Sequence, residues 1–306
     1  MPALRLGRLA GRLYDNAVLL LVFTALFWAG NQVLGRAVVG QIPPIHYSFL
    51  RWLGATLLIL PFAGPHLRRD WPNIAARWKY LVVIGSVGGG MFNTLQYIGL
   101  NHTSALNSLV LNSTGPIFIG LACFIAFRDR ITLPQTLGTV VSTAGVLAIV
   151  TRGDLGVLNA FSFNYGDLLI LLGMATNGFY TAYLRRRPAI HWLSFLFCLF
   201  LMSTLFNVPL VAWELSTGAR MEVTPFTLTA VAFVAIVPSI LAYICFTRGV
   251  ELIGGVRAGI FLHLIPVFGA ALAIGLLGEP LRIYHIVGFA LILAGVTLAS
   301  RKVRDQ

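Results

Sequence analysis

The sequence predicts an all-α integral membrane protein of about ten transmembrane helices, arranged as two inverted five-helix repeats around a central cavity. Three observations predict it. Hydrophobic residues make up 58% of the 306 positions and charged residues only 10%, whereas soluble domains carry roughly 25% charge. Apolar runs recur along the whole chain, each near the roughly 20 residues needed to cross a bilayer. And the chain, shifted by 150 residues, aligns with itself without gaps over a useful stretch.

The spans fall at 17–39, 45–64, 79–100, 103–127, 133–151, 166–184, 190–213, 226–250, 256–278 and 282–300. Helices are required because lipid offers no partner for backbone polar groups, and the long unbroken runs do not alternate as barrel strands do. Arg5, Arg8 and Arg12 ahead of the first run imitate a secretory leader. The run exceeds a leader core of roughly 7–15 residues and more spans follow, so it reads as an uncleaved first helix. Cys123, Cys198 and Cys245 all sit inside apolar runs, with no CxxC pair, and read as packing residues.

Charge placement gives the orientation. The formal net charge is +12, but the basic residues form short clusters between apolar runs rather than one basic face, which argues against nucleic acid. With the N-terminus inside, the clusters at 5–12, 68–79, 128–130, 185–187, 248–257 and 301–304 are all cytoplasmic. Arg36, Arg152, Arg220 and Arg282 remain outside and Arg51 lies within a span. This bias places both termini in the cytoplasm and requires an even number of spans.

The repeat pairs Gly99 with Gly249, Pro116 with Pro266, Phe118 with Phe268, Gly138 with Gly288, and Ala144-Gly145-Val146 with Ala294-Gly295-Val296; Asp129 falls on Glu279. It divides the chain into 1–152 and 153–306, five spans each. Five is odd, so the second half enters the membrane inverted, a plan typical of secondary transporters, with the substrate near the midplane between the halves.

Polar groups within spans are the candidates for that site, since in hydrocarbon they must pair or face a cavity. In chain order, the first span carries Thr24, Trp28 and Asn31 on one face and the second carries Arg51. The third carries Ser86, Asn93, Gln96 and Tyr97, the fourth Ser104, Ser108 and Asn112, and the sixth Asn177 and Tyr180. The eighth carries Ser239 and Tyr243, the ninth His263. Trp28, Asn31, Asn93, Gln96, Tyr97, Asn112, Asn177, Tyr180, Tyr243 and His263 form the expected substrate-binding set. For each, interhelical packing is the competing reading. Arg51, Pro116 and Pro266 are assigned gating or structural roles, with snorkelling and static kinks as alternatives. Gly85, Gly88, Gly89 and Gly90 read as a close helix contact or a hinge.

The motifs together resemble a known family: Leu26-Phe27-Trp28-Ala29-Gly30-Asn31 in the first span, Phe49-Leu50-Arg51-Trp52-Leu53-Gly54-Ala55 in the second, the paired prolines of the fourth and ninth, and Gly145-Val146-Leu147 and Gly295-Val296-Thr297 at the ends of the fifth and tenth. The chain is similar over nearly its whole length to the drug/metabolite transporter superfamily in its ten-helix form with two EamA-type repeats, most of all to the YddG-type exporters of aromatic and other neutral amino acids. That resemblance implies a bacterial inner-membrane exporter with a central cavity. Sister groups carry nucleotide sugars, phosphorylated sugars or drugs.

No Walker motif, HExxH motif or pair of intramembrane aspartates is present, so neither ATP-driven transport nor an enzyme is expected. His263 has no second ligand spaced for a metal, and no cofactor is expected. Facilitated exchange of neutral or zwitterionic solutes by a monomer is the expectation. Proton coupling through His263 is the weaker option, and a non-transporting receptor is the competing class.

Overall fold

The computed structural model describes residues 14–103, 105–154, 156, 163–277 and 281–300. Ser104, Glu279 and the terminal clusters Arg5, Arg8, Arg12, Arg301, Lys302 and Arg304 lie outside the described residues.

Helices α1 (Ala17–Ala37), α2 (Pro44–Ala76) and α3 (Trp78–His102) open the bundle. Helix α4 runs in two pieces, Ala105–Asn112 and Gly115–Phe127, followed by α5 (Leu133–Val150). The second half has α6 (Tyr165–Tyr183), α7 (Trp192–Ser216) and α8 (Pro225–Ile253). Helix α9 consists of Gly255–Ile260, a 3-10 turn Phe261–His263 and Leu264–Leu277, and α10 is Ile283–Ser300. Among the described residues nine helices are long and apolar enough to cross a membrane; α6, with Asp167, Asn177 and several hydroxyls, is less apolar. Large apolar side chains such as Phe62, Ile125, Val140, Leu228 and Leu293 are exposed on the outside, which water would disfavour and lipid accepts.

Local sequence sets the helix ends. Asn16 caps α1 through the Leu19 amide at 3.1 Å. Reciprocal capping boxes open α6 (Asn164 and Asp167) and α8 (Thr224 and Thr227), and at α5 Gln135 Oε1 accepts from the Thr132 amide at 2.8 Å. Helix α2 begins at Pro44 with no cap of its own. Glu214 of α7 supplies one: its carboxylate accepts from the amides of Ile45 (3.1 Å) and His46 (2.8 Å).

One span boundary and one helix interior differ from the sequence reading. Hydropathy ends the second span at 64, whereas α2 continues to Ala76 through Pro61, Pro65 and Pro72. Its last turns are held by tertiary contact: Asp70 accepts from the His191 amide at 2.8 Å and Ile74 is buried. Pro116 does not kink a continuous helix, because α4 has already broken at Ser113–Thr114 and Pro116 sits in the first turn of its second piece. There its missing N–H costs nothing.

The two halves pack as a two-fold. Helix α1 rests on α8 and α9 as α6 rests on α3 and α4, while α5 pairs with α10 and α2 with α7. At the α5–α10 contact a Cβ on Gly138 would lie 2.5 Å from the Gly295 carbonyl, and one on Gly295 would lie 2.5 Å from the Gly138 carbonyl. Gly145 and Gly288 repeat the relation, so the backbones meet where neither helix has a side chain. The shift of 150 also carries the π-helical turn Ser86–Met91 of α3 onto Ile236–Leu241 of α8.

Candidate functional site

The π-turns prepare the polar features. Pro238 has no N–H to give the Val234 carbonyl, and the Ser239 hydroxyl donates there instead, at 2.6 Å. The Ala242 amide reaches back to Val237, which leaves the Pro238 carbonyl free of the helix. That carbonyl accepts from Arg51 Nη2 (2.9 Å) and Trp28 Nε1 (3.1 Å). In the other half the Phe92 amide bonds Val87, and the Gly88 carbonyl, the repeat equivalent of Pro238, faces the Tyr243 hydroxyl at 3.4 Å.

A cavity opens where α1, α3, α4, α6 and α9 converge. In this state it is a narrow cleft of about 50 Å³, partly open to the outside. Trp28, Asn31, Asn93, Gln96, Tyr97, Asn112, Asn177 and His263 of the expected set line it, as does Pro266. It lies in the half of the bundle away from the start of α1 and the end of α10, beside the C-terminal parts of α1 and α3 and the N-terminal part of α4.

Tyr180 and Tyr243 do not line it. Both are fully buried beneath its floor, in an aromatic cluster with Trp52, Phe200 and Phe246. Trp28 spans the two settings, on the cavity wall and 5.9 Å from the Tyr243 ring and 5.0 Å from Phe246. Tyr180 is 5.9 Å from Tyr243, and Trp52 is 5.4 Å from Tyr243 in an edge-on arrangement. Beyond this plug, toward the start of α1, a second recess of about 450 Å³ is bounded by Thr181, Thr247, Val250 and the charged residues Arg185, Arg187 and Glu251. Its Thr247 and Val250 are the repeat equivalents of Tyr97 and Leu100 in the cavity.

Arg51 neither snorkels nor reaches the cavity surface. It is 1% exposed, and its guanidinium donates to Ser239 Oγ (2.8 Å), Tyr97 Oη (2.8 Å), Asn31 Oδ1 (3.1 Å) and the Pro238 carbonyl. Tyr97 in turn donates to Asn31 Oδ1 at 2.7 Å. Among the described residues no carboxylate pairs with Arg51. His263 is buried on the two-fold: Nε2 donates to the carbonyl of Ser113, its own repeat equivalent, at 2.8 Å, and Nδ1 meets Ser142 Oγ at 2.5 Å. Asp167 is also fully buried, at the start of α6, where it accepts from Thr103, from Asn107 Nδ2 (3.0 Å) and from the Asn164 amide (3.0 Å). It ties α4 to α6 outside the cavity.

Periodicity missed Gln32, a cavity amide whose signal was its place beside Asn31, and the apolar wall of Phe92, Leu109, Met174, Leu262 and Ile265, whose residue types carry no signal. Among the described residues no group of three or more His, Cys, Asp or Glu side chains is placed to hold a metal.

The EamA-like transporter family matches residues 15–151 and again 164–301. The chain belongs to the EamA-like transporter family. Its EamA relatives include the uncharacterized transporter YyaM of Bacillus subtilis, 25% identical with 94% of this chain and 95% of that protein covered. An uncharacterized transporter of Archaeoglobus fulgidus is 25% identical over 93% and 97%. The uncharacterized inner membrane transporter YicL of Salmonella typhimurium is 23% identical over 95% and 97%. A crystal structure superposes with a TM-score of 0.72 at 17% identity, covering 92% of this chain and 96% of that one, and so shares the fold. The EamA match makes the chain a multi-pass membrane transporter with a small-molecule substrate.

Proposed function

We propose that the protein is a bacterial inner-membrane secondary transporter that exports neutral and zwitterionic metabolites, foremost aromatic and other neutral amino acids, by alternating access. One observation carries the mechanism: two recesses on opposite faces of the bundle, lined at repeat-equivalent positions, with a buried aromatic plug between them. The repeats 1–152 and 153–306 are the units that exchange conformations. With both termini cytoplasmic, as the basic clusters indicate, the cavity lies on the outer side of the plug and the second recess on the cytoplasmic side. The export direction and the amino-acid class rest on the likeness to the YddG-type exporters. The cavity supports the amino-acid class with six carboxamides (Asn31, Gln32, Asn93, Gln96, Asn112 and Asn177) beside Trp28, Tyr97 and Phe92, a wall able to hold polar ends and an aromatic body. Its described lining contains no carboxylate, which favours facilitated exchange over proton coupling.

The same amides would also read the edges of a nucleobase, so a nucleoside is the second reading. Purified protein in liposomes, offered labelled neutral amino acids, nucleosides and a nucleotide sugar with and without a proton gradient, separates the two. Saturable amino-acid flux without the gradient is expected. Flux of another solute alone would move the chain to a sister group.

A further inference from the structure

The cavity is polarised, because its wall already holds one end of each fixed amide. Asn31 must present Oδ1 to Arg51, since a guanidinium only donates, and Tyr97 donates to the same oxygen. Its Nδ2 donor is therefore left for the cavity. Asn93 and Asn112 are held the other way: each turns Nδ2 back to a backbone carbonyl of its own helix, Gly89 at 3.1 Å and Ser108 at 2.9 Å. Carbonyls only accept, so these two leave Oδ1 acceptors for the cavity. Between them lies Gln96, 5% exposed, with neither Nε2 nor Oε1 bonded to any described group. An amide buried with both ends unpartnered is costly; its Nε2 now packs toward Gly173 of α6, and a turn of the side chain into the cavity would give both ends to a ligand that donates and accepts. Behind the donor end sits Arg51, a buried cation with neutral partners only, whose field is weakly screened at this depth.

From this geometry we propose that the cavity contains a head-group site for a zwitterion. The carboxylate is met by Asn31 Nδ2 and Gln96 Nε2, the ammonium by the Oδ1 atoms of Asn93 and Asn112 and by Gln96 Oε1. Arg51 acts as a positioning residue that supplies the positive potential through Asn31 and Tyr97. The aromatic and apolar wall is left to the side chain. The proposal rests on the amino-acid reading but goes further, because it names which atoms read which charge.

The test is ligand-induced thermal stabilisation of the purified full chain, alongside flux, with four related probes: phenylalanine, phenylalaninamide, 3-phenylpropionate and phenylalaninol. The wild type should bind phenylalanine about tenfold or more tightly than the amide or the alcohol, which lack the carboxylate, as expected for opposite charges several ångströms apart at low dielectric. Phenylpropionate, lacking the ammonium, should fall between. Arg51→Gln should reduce the acid-over-amide ratio toward one, and Arg51→Lys should restore part of it. Asn31→Asp keeps Arg51 hydrogen-bonded and folded but neutralises it, and should abolish the preference without loss of melting temperature. A general structural role would instead lower binding of all four probes alike and leave the ratio unchanged. An unchanged ratio in Arg51→Gln or Asn31→Asp, equal wild-type binding of acid and amide, or no stabilisation by any probe would each overturn the site. Preferential binding of the acid without any amino-acid flux would leave the site standing and overturn the transport reading.

Discussion

At the scale of single residues, His263 decides between the two energetic schemes. Both ring nitrogens are engaged on the two-fold, one by the Ser113 backbone and one by Ser142. His263→Ala strands a buried carbonyl and should cost about 1–3 kcal/mol, read as a lower melting temperature in detergent. His263→Gln, which retains a donor, should keep the wild-type dependence of flux on pH, as facilitated exchange requires. A flat pH profile in that variant against a sloping one in the wild type would make His263 the proton carrier. Five of the six cavity amides, all but Gln32, were legible from helical spacing because Asn and Gln inside a span have few places to go. Tyr180 and Tyr243 stand off the cavity lining in this state for the same reason in reverse: an aromatic ring satisfies itself as readily in a plug as on a cavity wall. The partners of Arg51 were not legible, since Ser239 and Pro238 are nearly 190 residues away in the chain and become neighbours only through the packing of α2 on α8.

At the scale of elements, glycine positions separate contact from mere flexibility. A Cβ on Gly295 would lie 2.5 Å from the Gly138 carbonyl and 2.6 Å from the Ser142 amide, and backbone cannot yield as a side chain can. Gly295→Val should force α5 and α10 apart and cost about 1–3 kcal/mol or more. Gly64, inside α2 with nothing within 4 Å of its built Cβ, gives the contrast: Gly64→Ala should add about 0.5–1 kcal/mol. Thermal unfolding of the pair in one detergent checks both, and equal effects would contradict the close-contact account. Pro238→Ala tests the π-turn. It restores an N–H to the Val234 carbonyl, lets the helix regularise and withdraws the Pro238 carbonyl from Arg51 and Trp28. Flux should fall while the melting temperature holds or rises; loss of both together would make the π-turn a purely structural device. Helix number and approximate bounds were legible because span length follows from bilayer thickness. The π-turns and the break at Ser113–Thr114 were not, because a run of glycines specifies closeness without specifying which hydrogen bond is skipped.

At the scale of the molecule, the repeat explains why the plug and the cavity are made of corresponding residues. The shift of 150 carries Asn93, Gln96 and Tyr97 of the cavity onto Tyr243, Phe246 and Thr247 at and beneath the plug. If the halves exchange conformations, the first three are closed off from the outer cavity, and Tyr243 and Phe246 join Thr247 in the recess on the opposite face. The transported solute then meets amides on one side and aromatic rings on the other, and Tyr243 takes the role its position in the sequence suggested, in the state not seen here. Leu100 and Val250 report the exchange without touching the polar wall. In a chain whose Cys123, Cys198 and Cys245 are replaced by Ala, Leu100→Cys and Val250→Cys should react with an impermeant maleimide from opposite faces of oriented vesicles. Their labelling rates should be reciprocal: a substrate or mutation that raises one must lower the other, since one population is divided between two states. Trp28→Ala, which thins the plug, should shift the ratio toward Val250. If both positions react fully in the same sample, or if both rise together on adding substrate, the two recesses are independent and the exchange of repeats is not how this chain moves its cargo.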